Sequence, residues 1–139
     1  MSYTISIEKL IFKYDGSTLT LNGITYEKGL KTHANSEVIN NLSLNQYNTF
    51  RAKIGINDEI SFGTCGIVIF KLFKDNNLAY ISPTLYLSSA TINVNLNISN
   101  TDQLKLITDT SGDNAFCDHG DWADAKFSVE NIPQLRHPI

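Results

Sequence analysis

Apolar and polar positions alternate along most of the chain. In "TFRAKIGI" the residues Phe50, Ala52, Ile54 and Ile56 fall on one face, and in "ATINVNLNIS" Ile92, Val94, Leu96 and Ile98 alternate with Asn93, Asn95 and Asn97. A period of two marks a half-buried antiparallel strand, here with a ladder of asparagines toward water. "GIVIFKLFK" is apolar almost throughout and reads as a central strand. "DNN" (Asp75 to Asn77) reads as a hairpin turn into "LAYIS". "QLKLIT" and "AKFSVEN" give two more strands, and "YTISIEKLIF" and "STLTLNGITY" add two N-terminal candidates.

No segment sustains an amphipathic helix. "HANSEVINNLSLNQY" comes closest, with room for one helical turn near Ser36 to Asn40. Strands at roughly ten-residue spacing, separated by Asn, Gly and Asp turns, predict an all-β antiparallel sandwich or barrel. No linker, repeat or low-complexity tract interrupts the pattern, so residues 1–139 are expected to form a single domain. The terminal "NIPQLRHPI", with two of the three prolines, is expected to lie as an extended strap.

Composition narrows the partner. Hydrophobic residues make up 42% of the 139 residues, enough for a core. Charged residues are only 18%, below the usual value of about a quarter, and Asn, Ser and Thr fill the gap. Such a surface suits a neutral, hydroxyl-rich partner; AT-rich coding DNA is the other reading of the asparagines. The net charge of −3 and the lack of a Lys/Arg cluster argue against nucleic acid. "GIVIF" is far too short to span a membrane.

The N-terminus shows no basic-then-apolar signal pattern. The expectation is therefore a cytoplasmic protein, one exported by an unusual route, or a piece of a secreted parent. Cys65 and Cys117 are too few for a disulfide scaffold, and whether they pair is left open. Sequons at Asn41 and Asn97 read as coincidental without a secretion signal.

Chemistry concentrates in "CDHGDWADAKF", which sets Asp118, His119, Asp121 and the only Trp, Trp122, on what reads as a loop before the last strand. Asp118, His119 and Asp121 could ligate a metal, but no HxH or CxxC accompanies them. Asp109, Asp113, Asp118 and Asp121 offer oxygens to calcium, on a spacing unlike an EF-hand loop. No cofactor is expected, with calcium as the alternative.

Catalysis would pair His119 with Asp118 or Asp121. No GxSxG elbow or phosphate-cradling glycine loop supplies the rest, so the chain is expected not to be an enzyme. A sugar site fits the same residues. An indole, or a loop tyrosine, stacks on the apolar face of a pyranose while carboxylate, imidazole and amide meet its hydroxyls. The bland reading makes Asp118 and Asp121 turn acceptors, His119 a bonded half-buried imidazole and Trp122 a core anchor.

A second stretch, "YEKGLKTHANSEV", repeats the chemistry with His33, Asn35 and Ser36; here too, Asn35 and Ser36 could simply cap a turn. Gly29 relaxes the backbone ahead of it. Two polar clusters on two loops form one composite site if the loops meet at the same end.

"YEKGLKTHANS", "FRAKIGINDE", "VIFKLFKDNNLAYIS" and "LKLITDTSGDNAFCDHGDWADAKF" occur in an order that resembles the NPCBM/NEW2 domain, carbohydrate-binding module family 51, from about Tyr26 to Phe127. "KGLxTHA" and "DHxDWADA" are the specific pieces. The matching positions are Lys28, Gly29, His33, Ala34, Asn35 and Ser36, then Asp118, His119, Asp121, Trp122, Ala123, Asp124 and Ala125. Ala34, Ala123 and Ala125 have the size of packing positions. One departure is "GINDE", with Asn57 ahead of Asp58 where the family carries an acidic pair.

The resemblance implies a galactose-binding-like, jelly-roll sandwich. It also implies non-catalytic, lectin-like recognition of terminal galactose or of glycans containing galactose or GalNAc. Avidity would come from homo-oligomers or tandem modules. The alternative is a structural or protein-interaction sandwich with no sugar site.

Overall fold

A computed structural model describes residues 9–10, 19–43, 46–58, 67–110 and 119–130, with the backbone alone at Lys9, Leu10 and His33. Two antiparallel sheets face each other. The first places β6 (Thr49–Ile56) between β9 (Ile92–Asn97) and β11 (His119–Ser128). The far side of β11 pairs with β4 (Gly29–His33) at its start and with β1 (Lys9–Leu10) near its end. The second sheet runs β5 (Ser36–Asn41), β10 (Gln103–Thr110), β7 (Val68–Lys74), β8 (Asn77–Ile81). A small hairpin, β2 (Leu19–Leu21) and β3 (Ile24–Tyr26), pairs with neither sheet but packs Leu19 and Leu21 against Ala123 of β11.

The two-residue period produces this arrangement. Phe50, Ala52, Ile54 and Ile56 of β6 are buried, and Val94 of β9 is buried while Asn93, Asn95 and Asn97 are exposed. Across the interface stand Val68, Phe70 and Leu72 of β7 and Leu104 and Leu106 of β10, all essentially inaccessible. Trp122 sits at the centre, its ring edge-on to Phe70 with centroids 5.1 Å apart and tilted against Phe50 at 6.3 Å. Each sheet thus supplies one wall of a shared apolar layer, the usual solution for a two-sheet domain.

The turns follow their residue chemistry. Asp75 and Asn76 join β7 to β8 with φ of 49° and 69°, and Asn22 and Gly23 join β2 to β3 at 50° and 82°. Consecutive positive φ values match the twist of a two-residue hairpin.

Two expectations are corrected. Residues 36–41 form strand β5, not a helical turn: β-branched Val38 and Ile39 and the two asparagines Asn40 and Asn41 are weak helix formers, and six residues pair with β10. "HGDW" is likewise no loop but the start of β11, held by β4 on one side and β6 on the other. The C-terminal strap, Cys65 and Cys117 lie outside the described residues. Among the described residues no helix is long and apolar enough to cross a membrane.

Candidate functional site

The two sequence motifs do meet. β4 runs antiparallel to β11 in a register that sets His33 directly opposite His119. Both stand at one end of the sandwich. There β4 turns through Ala34 and Asn35 into β5, β6 ends at Ile56, and the 82–91 segment crosses between the sheets.

Glycines fix this geometry. Gly29 opens β4 with φ +141°, and a Cβ there would lie 2.4 Å from the Trp122 carbonyl oxygen. Gly120 separates His119 from Asp121 because a Cβ would meet Phe70 and the Thr108 methyl, each at 2.8 Å.

Below the end lies a buried polar chain. The Trp122 Nε1–H donates to Thr108 Oγ1 at 3.1 Å, Thr108 and Thr32 hydroxyls stand 2.8 Å apart, and Thr32 Oγ1 donates to the Gly120 carbonyl at 2.7 Å. Asp121 is fully buried, and the Asn57 amide donates to its carboxylate at 2.5 Å. The Asn57 backbone N–H donates to the His119 carbonyl at 3.1 Å, so this asparagine ties β6 to β11 twice.

The rim is also braced. Asp58 accepts the backbone N–H groups of Asn22 and Gly23 at 3.1 and 2.8 Å. Asn22 Oδ1 accepts from the N–H and hydroxyl of Thr91, and its amide donates to the Ser89 carbonyl. Asn35 Oδ1 accepts the Thr110 N–H at 3.0 Å. Hairpin, rim and the 82–91 segment are therefore one bonded unit.

The predicted ligand set divides accordingly. His33, Asn35, Ser36 and His119 gather at the end, with His119 partly exposed. Asp118 lies outside the described residues. Trp122 and Asp121 do not qualify: both have zero exposure, so the indole cannot stack on a ligand and the carboxylate cannot reach one. The bland reading holds for Trp122. Ala34, Ala123 and Ala125 are buried as their size implies.

Among the described residues Tyr86 is an exposed aromatic, 49% accessible in the 82–91 segment, with its N–H donating to Ser89 Oγ. It is the loop tyrosine that the sugar reading allowed; nothing in its flanking sequence singles it out. Asn57, Thr32 and Thr108 were not foreseen, and the only available signal was a polar residue interrupting or ending an apolar strand.

Among the described residues no three His, Cys, Asp or Glu side chains gather to hold a metal. Of the four aspartates considered for calcium, Asp109 pairs with Lys71 at 2.8 Å and Asp121 is committed to Asn57, while Asp113 and Asp118 lie outside the described residues.

Residues 3–128 match the NPCBM/NEW2 domain. A protein of Renibacterium salmoninarum named for endo-α-N-acetylgalactosaminidase activity is 38% identical over 116 residues, 81% of this chain; the chain spans only 7% of that relative's length. Among solved structures, the family 51 module of a Clostridium perfringens glycoside hydrolase family 95 protein, in complex with methyl-galactose, aligns with a TM-score of 0.76 and 31% identity over 87% of both chains. The second such module of C. perfringens ZmpB, in complex with GlcNAc and joined to an INT domain, aligns at 0.74 and 27% over 81% of this chain and 25% of that one.

Proposed function

The chain belongs to the NPCBM/NEW2 family of carbohydrate-binding domains, and from that premise we propose that it is a non-catalytic module recognising terminal galactose, or glycans containing galactose or GalNAc, at the end where His33 faces His119. The observation that carries the reading is the methyl-galactose complex of a module aligning over 87% of both chains. The end of this sandwich supports it, because the strand register sets His33 opposite His119, with Asn35 in the turn that follows β4 and His119 partly exposed.

Tyr86 supplies the apolar stacking face in place of Trp122. His33, His119 and Asn35 meet the sugar hydroxyls, with Asp118 as a further acceptor. An imidazole or amide on the axial O4 side selects galactose over glucose, since the wrong epimer leaves a polar group unpaired at roughly 1–3 kcal/mol. A single shallow site gives a Kd on the order of 0.01 to 1 mM. Avidity then comes from repeated modules or self-association.

Titration of the chain with galactose, GalNAc, GlcNAc and glucose, followed by calorimetry and amide NMR, tests the reading. Galactose and GalNAc should bind, and His119→Ala and Tyr86→Ala should each weaken them about tenfold or more, the scale of a hydrogen bond to a polar sugar group or of a stacking contact. Unchanged galactose affinity in both variants would refute the site. Exclusive GlcNAc binding would move the specificity toward that of the ZmpB module. Turnover of aryl galactosides above blank would overturn the non-catalytic assignment.

A further inference from the structure

The turn joining β2 to β3 is Asn22–Gly23, the single Asn-Gly pair in the sequence, and both residues are exposed. Asparagine is a chemically labile residue, and a following glycine makes it more so. With no side chain on the glycine, its backbone nitrogen reaches the asparagine Cγ without steric hindrance. The turn itself does not demand this pair: φ values of 50° and 82° suit Asp-Gly or Gly-Gly equally well.

The hydrogen bonds show what the amide contributes. Asn22 Oδ1 accepts the N–H and the hydroxyl of Thr91 at 2.7 and 2.6 Å, and Asn22 Nδ2 donates to the Ser89 carbonyl at 3.2 Å. A carboxamide accepts and donates from one planar group, whereas a carboxylate only accepts. An acid at this position would turn an acceptor toward the Ser89 carbonyl. It would also add a second negative charge to a turn already bonded to Asp58. The labile residue is therefore the one that latches the hairpin to the 82–91 segment.

The same contacts oppose the reaction to which Asn-Gly is prone. Cyclisation needs the Gly23 nitrogen to give up its proton and reach Cγ of Asn22. In the fold that N–H donates to Asp58 Oδ2 at 2.8 Å, while the Asn22 N–H donates to Oδ1 of the same carboxylate at 3.1 Å. Negative charge developing on a nitrogen that faces a carboxylate is disfavoured. Asp58 is held in place by its own N–H, which donates to the Thr20 carbonyl of β2 at 2.9 Å. The side chain that must swing onto the nitrogen is tied to Thr91 and Ser89.

We propose that Asn22 is a modification site gated by Asp58: hydrolytic deamidation is held back while the latch is closed and proceeds when the hairpin opens locally. The Gly23 nitrogen attacks Cγ, a new C–N bond forms, the Cγ–Nδ2 bond breaks, and the proton lost from the Gly23 nitrogen leaves with the amide as ammonia. Water then opens the cyclic imide. Hydrolysis at Cγ leaves an aspartate, and hydrolysis at the backbone carbonyl leaves an isoaspartate whose main chain runs through Cγ. Water is consumed, ammonia is released and nothing is oxidised or reduced. The aspartate repels the Ser89 carbonyl, and the isoaspartate lengthens the main chain within a two-residue turn, so each product weakens the latch. The step is irreversible, and its rate follows how often the hairpin opens.

The test incubates the full chain in mildly alkaline buffer and follows position 22 by peptide mass spectrometry and by isoaspartyl methyltransferase labelling. The folded chain should convert about tenfold or more slowly than the same chain unfolded in urea. Asp58→Ala removes both backbone acceptors and should speed conversion of the folded chain by about tenfold or more, the scale of losing hydrogen bonds to a charged group. Thr91→Val keeps the shape but removes a hydroxyl donor and should speed conversion by a smaller factor; this milder variant decides the matter if Asp58→Ala does not fold. The isoaspartate fraction, separated by its added charge, should exchange its Gly23 amide hydrogen about tenfold faster than the parent. Equal rates in the folded chain and in urea, or no acceleration in either variant, would overturn the proposal. So would slower conversion in Asp58→Ala, since that carboxylate would then be the base that promotes the attack.

Discussion

Replacing Trp122 with alanine is the most direct test of which residues build this molecule and which serve a ligand. The indole has zero exposure, is edge-on to Phe70 at 5.1 Å and donates to Thr108 at 3.1 Å. Truncating a fully buried aromatic costs about 3–5 kcal/mol through lost transfer energy and the cavity left behind. For a chain of this size each kcal/mol lowers Tm by about 3–5 °C, so the transition should fall by roughly 10–20 °C. Trp122→Phe keeps a ring against Phe70 but removes the N–H donor and some volume, at about 1–3 kcal/mol.

Differential scanning calorimetry gives both shifts, and galactose titration below each transition gives the affinity. The expected pattern is large destabilisation of the alanine variant, with near-normal galactose affinity in the phenylalanine variant. If Trp122→Ala instead melted within about 3 °C of the parent while losing all sugar binding, the indole would be a surface platform and the core described above would be wrong.

Thr108→Val keeps the shape but removes the acceptor of the Trp122 N–H and the partner of Thr32; a loss of about 1–3 kcal/mol by urea unfolding is expected, and neutrality would mean the polar chain is not formed. Gly29→Ala forces a side chain into a φ of +141° and against the Trp122 carbonyl, so the stability loss should exceed the ~1–3 kcal/mol of a strained backbone alone. Burial raises the Tyr80 phenol above its ordinary value of about 10. The folded state holds this proton longer than the unfolded chain does. The associated stability is therefore full below pH 10 and lost as pH climbs through the raised folded value. Tyr80→Phe should flatten that alkaline decline in urea midpoints above about pH 10, and an unchanged slope would contradict it.

The sheets were legible because burial on one face writes itself as alternation: Phe50 to Ile56 and Ile92 to Asn97 needed no further information. The small Ala34, Ala123 and Ala125 were also readable as packing positions. Trp122 was harder. In a run of Asp, His and Gly it has the chemistry of a binding site, and its inward direction is set by pairing with β4 and β6, which no local pattern encodes. Asp121 misled for the same reason, since its partner Asn57 is remote in sequence. Ser36 to Asn41 lacked a clean apolar alternation, so only the partner strand β10 decides their conformation. His33 and His119 were expected on two loops that could share an end; a strand register, not loop proximity, sets them opposite each other.

One strand carries both the indole and the imidazole: Trp122 anchors the interior three residues along from His119, and Thr108 clamps that strand to the opposite layer. A visiting sugar would therefore meet a floor already held stiff by the interior, with little backbone order left to impose. Association should be quick, brief in lifetime and nearly free of conformational cost, so strength on a cell surface would come from multiplying copies and not from tightening one grip.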